Sequence, residues 1–278
     1  TISIVYFYFP SSTRFISVPR SEAVKIYYAD NISPAHQTII DRFNALHTGE
    51  IEVVAIDLPF SKFSTNERKE LLARALRSKN SKLDIFAVDL IWVPRFAKWA
   101  EPFPPDFAEK RKIEFLNSAM ESCVYDSKLV ALPLYTDVGM LYYNRGLLRS
   151  LLPDAQALER RLSQSITWRE LIEIGKKLRS ESLPIYLYAA DNFEGLVCSF
   201  MELILSQDRA FFEQTPIQLN APESRKALQL LVDLVHEHDM TPELVTDFDE
   251  YRTNVYAIEN DGVFWRSWPG LLVQFENI

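Results

Sequence analysis

The chain has 278 residues, with 47% apolar and 24% charged side chains and a formal net charge of −8. This length is enough for two hydrophobic cores, whereas the negative charge and the lack of a basic block argue against a nucleic-acid partner. Two cysteines, Cys123 and Cys198, exclude a disulfide-dense scaffold and a zinc site of cysteines alone, and the seven glycines form no dinucleotide-binding or P-loop pattern.

The first predicted element is the apolar N-terminal stretch TISIVYFYF, which precedes Pro10. It fits the end of a signal or anchor segment as well as it fits a β-strand, and both interpretations stay open. No stretch of the sequence reaches the roughly 18 consecutive apolar residues of a membrane-spanning helix.

Residues 24–89 alternate between strand and helix patterns. The predicted strands are 24–28, 51–56 and 83–89, and the predicted helices between them are 33–49 and 64–80. Ser33 is a good N-cap for the first helix, and Ser64 with Glu67 has the spacing of a capping box. Such units imply parallel strands in an open α/β sheet, which binds ligands beyond the carboxyl ends of its strands. We therefore expect a ligand-binding edge formed by Asp30 and Asn31 after the first strand and by Asp89 and Trp92 after the third.

The sequence continues with shorter elements. One helix is predicted over 113–120, followed by a hairpin with its turn at 126–127. The hairpin leads into PLYTDVGMLYYN (133–144), where Tyr135 and Asp137 interrupt a strand-like apolar run. The remaining predicted elements are helices over 150–181, 194–207, 208–214 and 222–238 and strands over 184–190 and within 260–270, with Thr167 and Glu170 in a second capping box.

The candidate chemistry favours binding over catalysis. His236 and His238 are two residues apart and do not share a helix face, so they predict no zinc site. No serine has the surroundings of a nucleophile elbow. The acids Asp247, Asp249 and Glu250 are more typical of a solvated loop than of a glycosidase pair. We therefore expect no metal, no cofactor and no enzymatic activity.

Aromatic residues and carboxylates recur together at the ends of predicted elements. The groups are Asp89 with Trp92, Tyr135 with Asp137, Phe193 with Glu194, and Trp265 with Trp268. Sugars suit this combination because their C–H faces stack on aromatic rings while their hydroxyls donate to carboxylates, each such hydrogen bond contributing about 1.5–3 kcal/mol. The alternative is that the aromatic residues belong to the core and that the acids cap helices.

Five segments in series carry a resemblance to a known family. They are LDIFAVDLIWVPRFAKWAEPF, KLVALPLYTDVGMLYYNRGLL, TWRELIEIGKKL, EGLVCSFMELILS and NDGVFWRSWPG. Together they resemble the extracytoplasmic solute-binding proteins of ABC sugar importers, and in particular the trehalose/maltose-binding group. The resemblance spans residues 24–270.

The resemblance implies a two-lobed, periplasmic-binding-protein-like α/β fold of type II. Each lobe would hold a mixed sheet flanked by helices, with the ligand cleft at the hinge and closure after binding. The expected domains are a tail over 1–23, a discontinuous first lobe over 24–134 plus 255–278, and a second lobe over 135–254. Because family members are longer, we expect the first lobe to be incomplete and the protein to be truncated at its C-terminus.

The same resemblance implies the ligand-binding residues. They are Asp89, Tyr135, Asp137, Glu194, Arg266 and Trp268. Asn31 is added from its position after the first strand, and Trp265 from its place beside Trp268. Trp92 is expected to pack behind Asp89, and Trp168 is expected to be structural. The stretch YAADNFEGL departs from the sugar binders, because it lacks the Trp or Gln that often precedes the Glu and carries Phe193 for the usual Tyr. The identity of the ligand stays open.

The expected function is a monomeric, non-enzymatic receptor outside the cytoplasm that captures a di- or oligosaccharide and delivers it to an ABC permease. The alternative is the ligand-sensing ectodomain of a membrane-anchored signalling receptor, since the apolar N-terminus allows an anchor. A third interpretation, a glycoside-active enzyme, would require turnover of oligosaccharides.

Overall fold

The structure, a computed structural model, describes residues 2–5, 23–59, 62–78, 82–178 and 182–270. The polypeptide divides into two compact units, Thr1–Asp137 and Val138–Ile278. Each unit has its own sheet and its own apolar core. Among the described residues, no helix is long and apolar enough to cross a membrane.

The first unit is built on a five-stranded mixed sheet. Its strands are β1 (Ile2–Val5), β2 (Val24–Asp30), β3 (Ile51–Asp57), β4 (Ile85–Asp89) and, after a hairpin of β5 (Val124–Tyr125) and β6 (Lys128–Leu129), β7 (Leu132–Tyr135). The order is β3-β2-β4-β1-β7; β2 is parallel to β3 and β4, and β1 is antiparallel to β4 and β7. The predicted run of parallel strands is confirmed.

The N-terminal stretch is a strand where the structure describes it. Ile2–Val5 pairs with β4 and β7. Residues 6–22, which complete the predicted tail, lie outside the described residues.

The helices of the first unit flank this sheet. They are α1 (Pro34–Leu46), α2 (Thr65–Ser78), α3 (Val93–Phe96), α4 (Pro105–Lys112) and α5 (Asn117–Glu121). The Ser33 hydroxyl accepts from the His36 N–H, and the predicted capping box forms between Ser64 and Glu67. The helix predicted over 113–120 forms only in its second half, as α5: the backbone turns after α4, and Ile113 is 90% exposed.

The hairpin turn predicted at 126–127 is confirmed. Asp126 and Ser127 both have positive φ, as two-residue hairpin turns of type I′ require. The core beneath the sheet is formed by buried side chains from its strands and helices, including Phe86, Phe96, Phe103, Met120 and Cys123.

The second unit holds a three-stranded sheet with β10 in the centre. Its strands are β8 (Met140–Tyr143), β9 (Tyr186–Leu187) and β10 (Phe264–Ser267). β10 is antiparallel to β8 and parallel to β9. Residues 255–270 were predicted in the first lobe, and the structure instead places them in the second unit because β10 bonds to both of its other strands. The crossing predicted near 255–262 falls within a helix of the second unit and the turn after it.

Six helices are described in this unit. They are α6 (Arg145–Leu151), α7 (Ala155–Leu162), α8 (Trp168–Leu178), α9 (Glu194–Leu205), α10 (Pro222–His236) and α11 (Glu250–Glu259). The strand predicted over 184–190 is reduced to Tyr186–Leu187, and the helix over 208–214 to the 3₁₀ turn Phe211–Glu213. The solvated loop predicted around Glu250 is wrong, because Asp249 caps α11 by accepting from the Arg252 N–H.

The second core lies between these helices and the sheet. Its fully buried side chains include Leu187, Leu203, Ile204, Leu234 and Phe264. Trp168 packs edge-on against Tyr186 with ring centroids 5.3 Å apart, which confirms its structural role.

Candidate ligand-binding site

In the first unit, three strands bring acidic and aromatic residues to one edge of the sheet. Asp30 ends β2, Asp89 ends β4 and Tyr135 ends β7. Asp89 and Tyr135 both pair with Ile2 from opposite sides, so they lie one strand apart. This is the carboxyl edge of the parallel strands, where open α/β sheets bind ligands.

Asp30 is the centre of a buried network. Its carboxylate, 1% exposed, accepts from the Tyr28 hydroxyl at 2.7 Å, from Arg68 Nη2 at 3.1 Å and from the Asn31 N–H at 2.7 Å. His36 Nδ1 lies 3.5 Å from the same carboxylate. A buried carboxylate needs such partners, because an isolated charge in the interior is very costly. Asp30 is expected at this edge from its position after the first predicted strand, whereas Arg68 is not predicted from the sequence.

Asp30 and Arg68 differ in how clearly the sequence marks them as site residues. Asp30 is marked by its position, because it follows the predicted strand 24–28 closely and precedes Asn31. Arg68 lies on α2, 38 residues away, and nothing in the helix pattern marks it as a partner of the strand.

Tyr135 lies among carboxylates. Burial raises the pKa of its phenol, and the negative charges of Asp30, Asp137 and Asp89 raise that pKa further. The phenol therefore stays protonated near neutral pH and can both donate and accept. The imidazole of His36 lies 6.0 Å from the Tyr135 ring, measured between centroids. These residues share one region of the first unit. We call them the Asp30 cluster, which consists of Asp30, Asn31, His36, Arg68, Asp89, Tyr135 and Asp137.

A pocket with an empty volume of about 280 Å³ adjoins this cluster. It is lined by Thr65, Arg68, Lys69, Leu72, Ala87, Val88, Asp89 and Trp92. The Lys69 ammonium lies 4.1 Å from the centre of the Trp92 ring. The buried Trp92 indole N–H has no hydrogen-bond acceptor among the described residues. Trp92 therefore lines a pocket beside Asp89.

The second unit carries a cluster built around Trp268. The Arg266 guanidinium lies over the Trp268 ring, 3.8 Å from its centroid, and Arg266 Nη2 donates to Glu202 Oε1 at 2.8 Å. The Trp268 indole N–H donates to Glu250 Oε1 at 3.4 Å, and the Tyr142 hydroxyl donates to the Trp268 carbonyl at 3.3 Å. We call Trp268, Arg266, Glu202 and Glu250 the Trp268 cluster.

Two glutamates of this region are the first residues of helices, Glu250 of α11 and Glu194 of α9. Burial raises the pKa of the Glu250 carboxyl. A Cβ at Gly195 would lie 2.8 Å from Glu250 Oε1, so the carboxylate approaches the first turn of α9 closely because residue 195 is glycine. Glu194 Oε2 is buried and has no hydrogen-bond partner among the described residues. Glu202 and Glu250 are not predicted from the sequence, because no local pattern marks them.

Two of the expected ligand residues are more enclosed than predicted. Trp265 is 8% exposed, stacks on Tyr142 with centroids 5.7 Å apart and donates its indole N–H to Asn254. This position is that of a core residue, which does not support contact with a ligand. Arg266 is 4% exposed and already has a carboxylate partner. Trp268 and Glu194 remain only partly buried.

The two clusters offer hydrogen-bond acceptors, one phenol and one indole ring. Such groups are able to form hydrogen bonds with hydroxyls and to stack on C–H faces. Within the described ranges, no group of three or more His, Cys, Asp or Glu side chains is arranged to hold a metal ion.

The fold and the clusters define an α/β ligand-binding protein made of two units. The chain belongs to the family of bacterial extracellular solute-binding proteins, whose family model matches residues 29–269. Members of this family bind solutes and are not enzymes, in agreement with the sequence prediction.

Known proteins in this class are similar over most of the sequence. A probable ABC transporter-binding protein of Deinococcus radiodurans is 24% identical over 208 residues, covering 74% of this chain and 48% of its own length. The maltose-bound structure of T. maritima MalE3 has a TM-score of 0.73 and 28% identity over 90% of this chain and 62% of its own. A Thermotoga lettingae solute-binding protein with bound α-D-tagatose has a TM-score of 0.70 and 19% identity, covering 92% of this chain and 64% of its own.

These similarities confirm the two-lobed solute-binding fold. The chain spans about half of the length of the curated relative and under two thirds of the two solved structures.

Proposed function

We propose that the protein captures an uncharged di- or oligosaccharide outside the cytoplasm and delivers it to an ABC importer. The observation that carries this proposal is Trp268, a partly exposed indole held beside carboxylates. The Asp30 cluster supports it, because Tyr135 supplies a protonated phenol surrounded by three carboxylates. Asp89, Tyr135, Asp137, Glu194 and Trp268 would contact the sugar.

The physical reason is the match between these groups and a sugar. One face of a pyranose is rich in C–H groups and packs on an aromatic ring, whereas its hydroxyls donate to carboxylates. Hydrogen bonds to charged acceptors contribute about 1.5–3 kcal/mol each, so several of them together with stacking on the indole ring are needed to offset the cost of association. The maltose bound by MalE3, at 28% identity, favours the same ligand class here.

The charges favour a neutral sugar. Among the described residues, the buried guanidiniums are already paired, Arg68 with Asp30 and Arg266 with Glu202. The Lys69 ammonium at the adjoining pocket donates to Asn66 Oδ1 and lies over the Trp92 ring. An acidic sugar would therefore meet mainly carboxylates, and like charges at such distances repel. Delivery would follow if binding shifts the protein toward a conformation that the permease distinguishes.

The test is a titration of the protein with maltose, trehalose, other disaccharides and oligosaccharides, and glucuronate-containing disaccharides. Intrinsic tryptophan fluorescence and thermal shift would report binding. We expect saturation with at least one neutral sugar, no response to the uronates, and at least about tenfold weaker binding after Trp268→Ala or Asp137→Ala.

Trp168→Phe is the matched control, because Trp168 packs in the core of the same unit as Trp268. It should leave the affinity unchanged. A folded protein that responds to none of the sugars would refute the carbohydrate assignment.

A further inference from the structure

The Trp268 ring is held through a residue far from it in the sequence. Arg266 covers one face of the ring at 3.8 Å from the centroid. Its guanidinium is held in turn by Glu202, which accepts from Nη2 at 2.8 Å and from Nε at 3.3 Å. Arg266 lies on β10 and Glu202 on α9, so the orientation of the ring depends on where the helix places one carboxylate.

Glu202 is the partner that holds the guanidinium in place. The Arg266 side chain is 4% exposed, whereas that of Glu202 is 44% exposed. Arg266 Nη1 is buried without a hydrogen-bond partner among the described residues. A planar guanidinium with two donors on one carboxylate has a defined plane, and stacking transmits that plane to the ring.

The ion pair needs a glycine at residue 139. A Cβ there would overlap Glu202 Oε1 and lie 2.9 Å from Arg266 Nη2. The pair therefore packs closely against the backbone at Gly139. The space for this contact exists because position 139 has no side chain.

We propose that Glu202 is a positioning residue of the carbohydrate site, which keeps Arg266 stacked on Trp268 and so fixes the ring in the orientation that binds sugar. This inference rests on the proposed function and deepens it. Arg266 then supports the ring and does not contact the ligand. When the ring is correctly oriented in only a fraction of the molecules, the apparent dissociation constant rises by the inverse of that fraction.

The first measurement needs no ligand. Acrylamide quenching of Trp268 is obtained as the difference between each protein and the same protein with Trp268→Phe. We expect Glu202→Gln to increase this quenching, because a neutral amide oxygen accepts a weaker hydrogen bond than a carboxylate and holds Arg266 over the ring less firmly. The matched control is Glu159→Gln. Elsewhere in the same unit, the Glu159 carboxylate accepts hydrogen bonds from Arg149 Nε at 2.6 Å and from Arg149 Nη2 at 2.9 Å. The control should leave the quenching unchanged.

The second measurement is a binding cycle with each sugar of the panel. Glu202→Gln should weaken binding about fivefold, which corresponds to correct orientation in about one fifth of the molecules. In a Trp268→Ala background, measured at raised sugar concentration, the same substitution should have no further effect because it acts through the ring.

The outcomes separate this inference from the proposed function. Unchanged quenching in Glu202→Gln, equal changes in the control, or an equal loss of affinity in the Trp268→Ala background would each overturn the positioning role. Increased quenching in a protein that binds none of the sugars would instead refute the carbohydrate assignment, and Glu202 would still control the ring.

Discussion

Each of the two clusters contains a buried charged side chain, and the two charges are neutralised in different ways. In the Asp30 cluster, the buried charge lies on a strand end and is neutralised by Arg68 from a neighbouring helix. In the Trp268 cluster, the buried charge is Arg266, and its partner Glu202 is partly exposed to solvent. The difference indicates that removing Asp30 will mainly affect folding, whereas removing Glu202 will mainly affect the orientation of one ring.

The largest effect is expected from Asp30→Ala. Breaking a buried ion pair by removing one partner costs about 3–5 kcal/mol, and Asp30 also accepts from Tyr28 and from its neighbour's N–H. Asp57 is the matched control, because it lies opposite Asp30 in the parallel register and is exposed. Asp57→Ala should cost about 1 kcal/mol or less, since one exposed hydrogen bond to Ile32 is lost.

Urea unfolding of the full-length protein measures both free energies. Equal losses for the two aspartates would show that burial of the Asp30 carboxylate is not what makes it important, and the contrast between the clusters would fail.

A smaller effect is expected from Tyr135→Phe, which removes one hydroxyl and keeps the ring. If the phenol binds ligand, the affinity should fall by about 1 kcal/mol, or roughly fivefold, with little change in stability. Because burial and the nearby carboxylates raise the pKa of Tyr135, its contribution should not vary with pH near neutrality. Calorimetric titration with the sugar found in the panel measures this loss.

Tyr125→Phe is a suitable control, because Tyr125 is exposed on the hairpin of the same unit. A large loss of stability in Tyr135→Phe with unchanged affinity would instead assign the hydroxyl to the folded structure.

The smallest effect concerns the two capping boxes, one in each unit. The Thr167 hydroxyl and N–H hold the pKa of Glu170 at about 2, and Arg161 adds a further hydrogen bond. The Ser64 N–H and hydroxyl lower the pKa of Glu67 without such an arginine. A carboxyl group whose pKa is lowered in the folded state stabilises the fold at pH values above its ordinary pKa. This stabilisation is lost as the pH falls through the pKa that the group has in the folded state.

Glu170→Gln should therefore lower the melting temperature at neutral pH more than Glu67→Gln does. Both differences from the unsubstituted protein should shrink as the pH is lowered in steps to about pH 3. A difference that stays constant with pH would show that the carboxylate charge is not involved.

Local patterns predicted much of the fold. The strands leading to Asp30 and Asp89, the caps at Ser33, Ser64 and Thr167 and the hairpin turn all depend on neighbouring residues. Local patterns failed where packing decides: the helix over 113–120 is broken, although its spacing is helical. α11 was not predicted because its first turn has the composition of an acidic loop.

The residues of the candidate site also fall into those that local patterns predict and those that depend on packing. Tyr135 and Asp89 were predicted from their position at strand ends and from the family resemblance, and the structure places them one strand apart. Trp265 was predicted as a ligand residue, but its neighbours enclose it. Asp30 was predicted at the ligand-binding edge from its position after the first strand, whereas no sequence signal marked Glu202.

By itself, the sequence determined the α/β class, the parallel strands of the first unit, the family and the carboxyl edge where its acids lie, because periodicity, caps and strand ends are local. Only the tertiary structure decided that β10 belongs to the second unit, that Arg68 reaches Asp30 and that Glu202 holds Arg266 against Trp268. These depend on strand pairing and charge contacts between residues tens of positions apart, which no local pattern encodes.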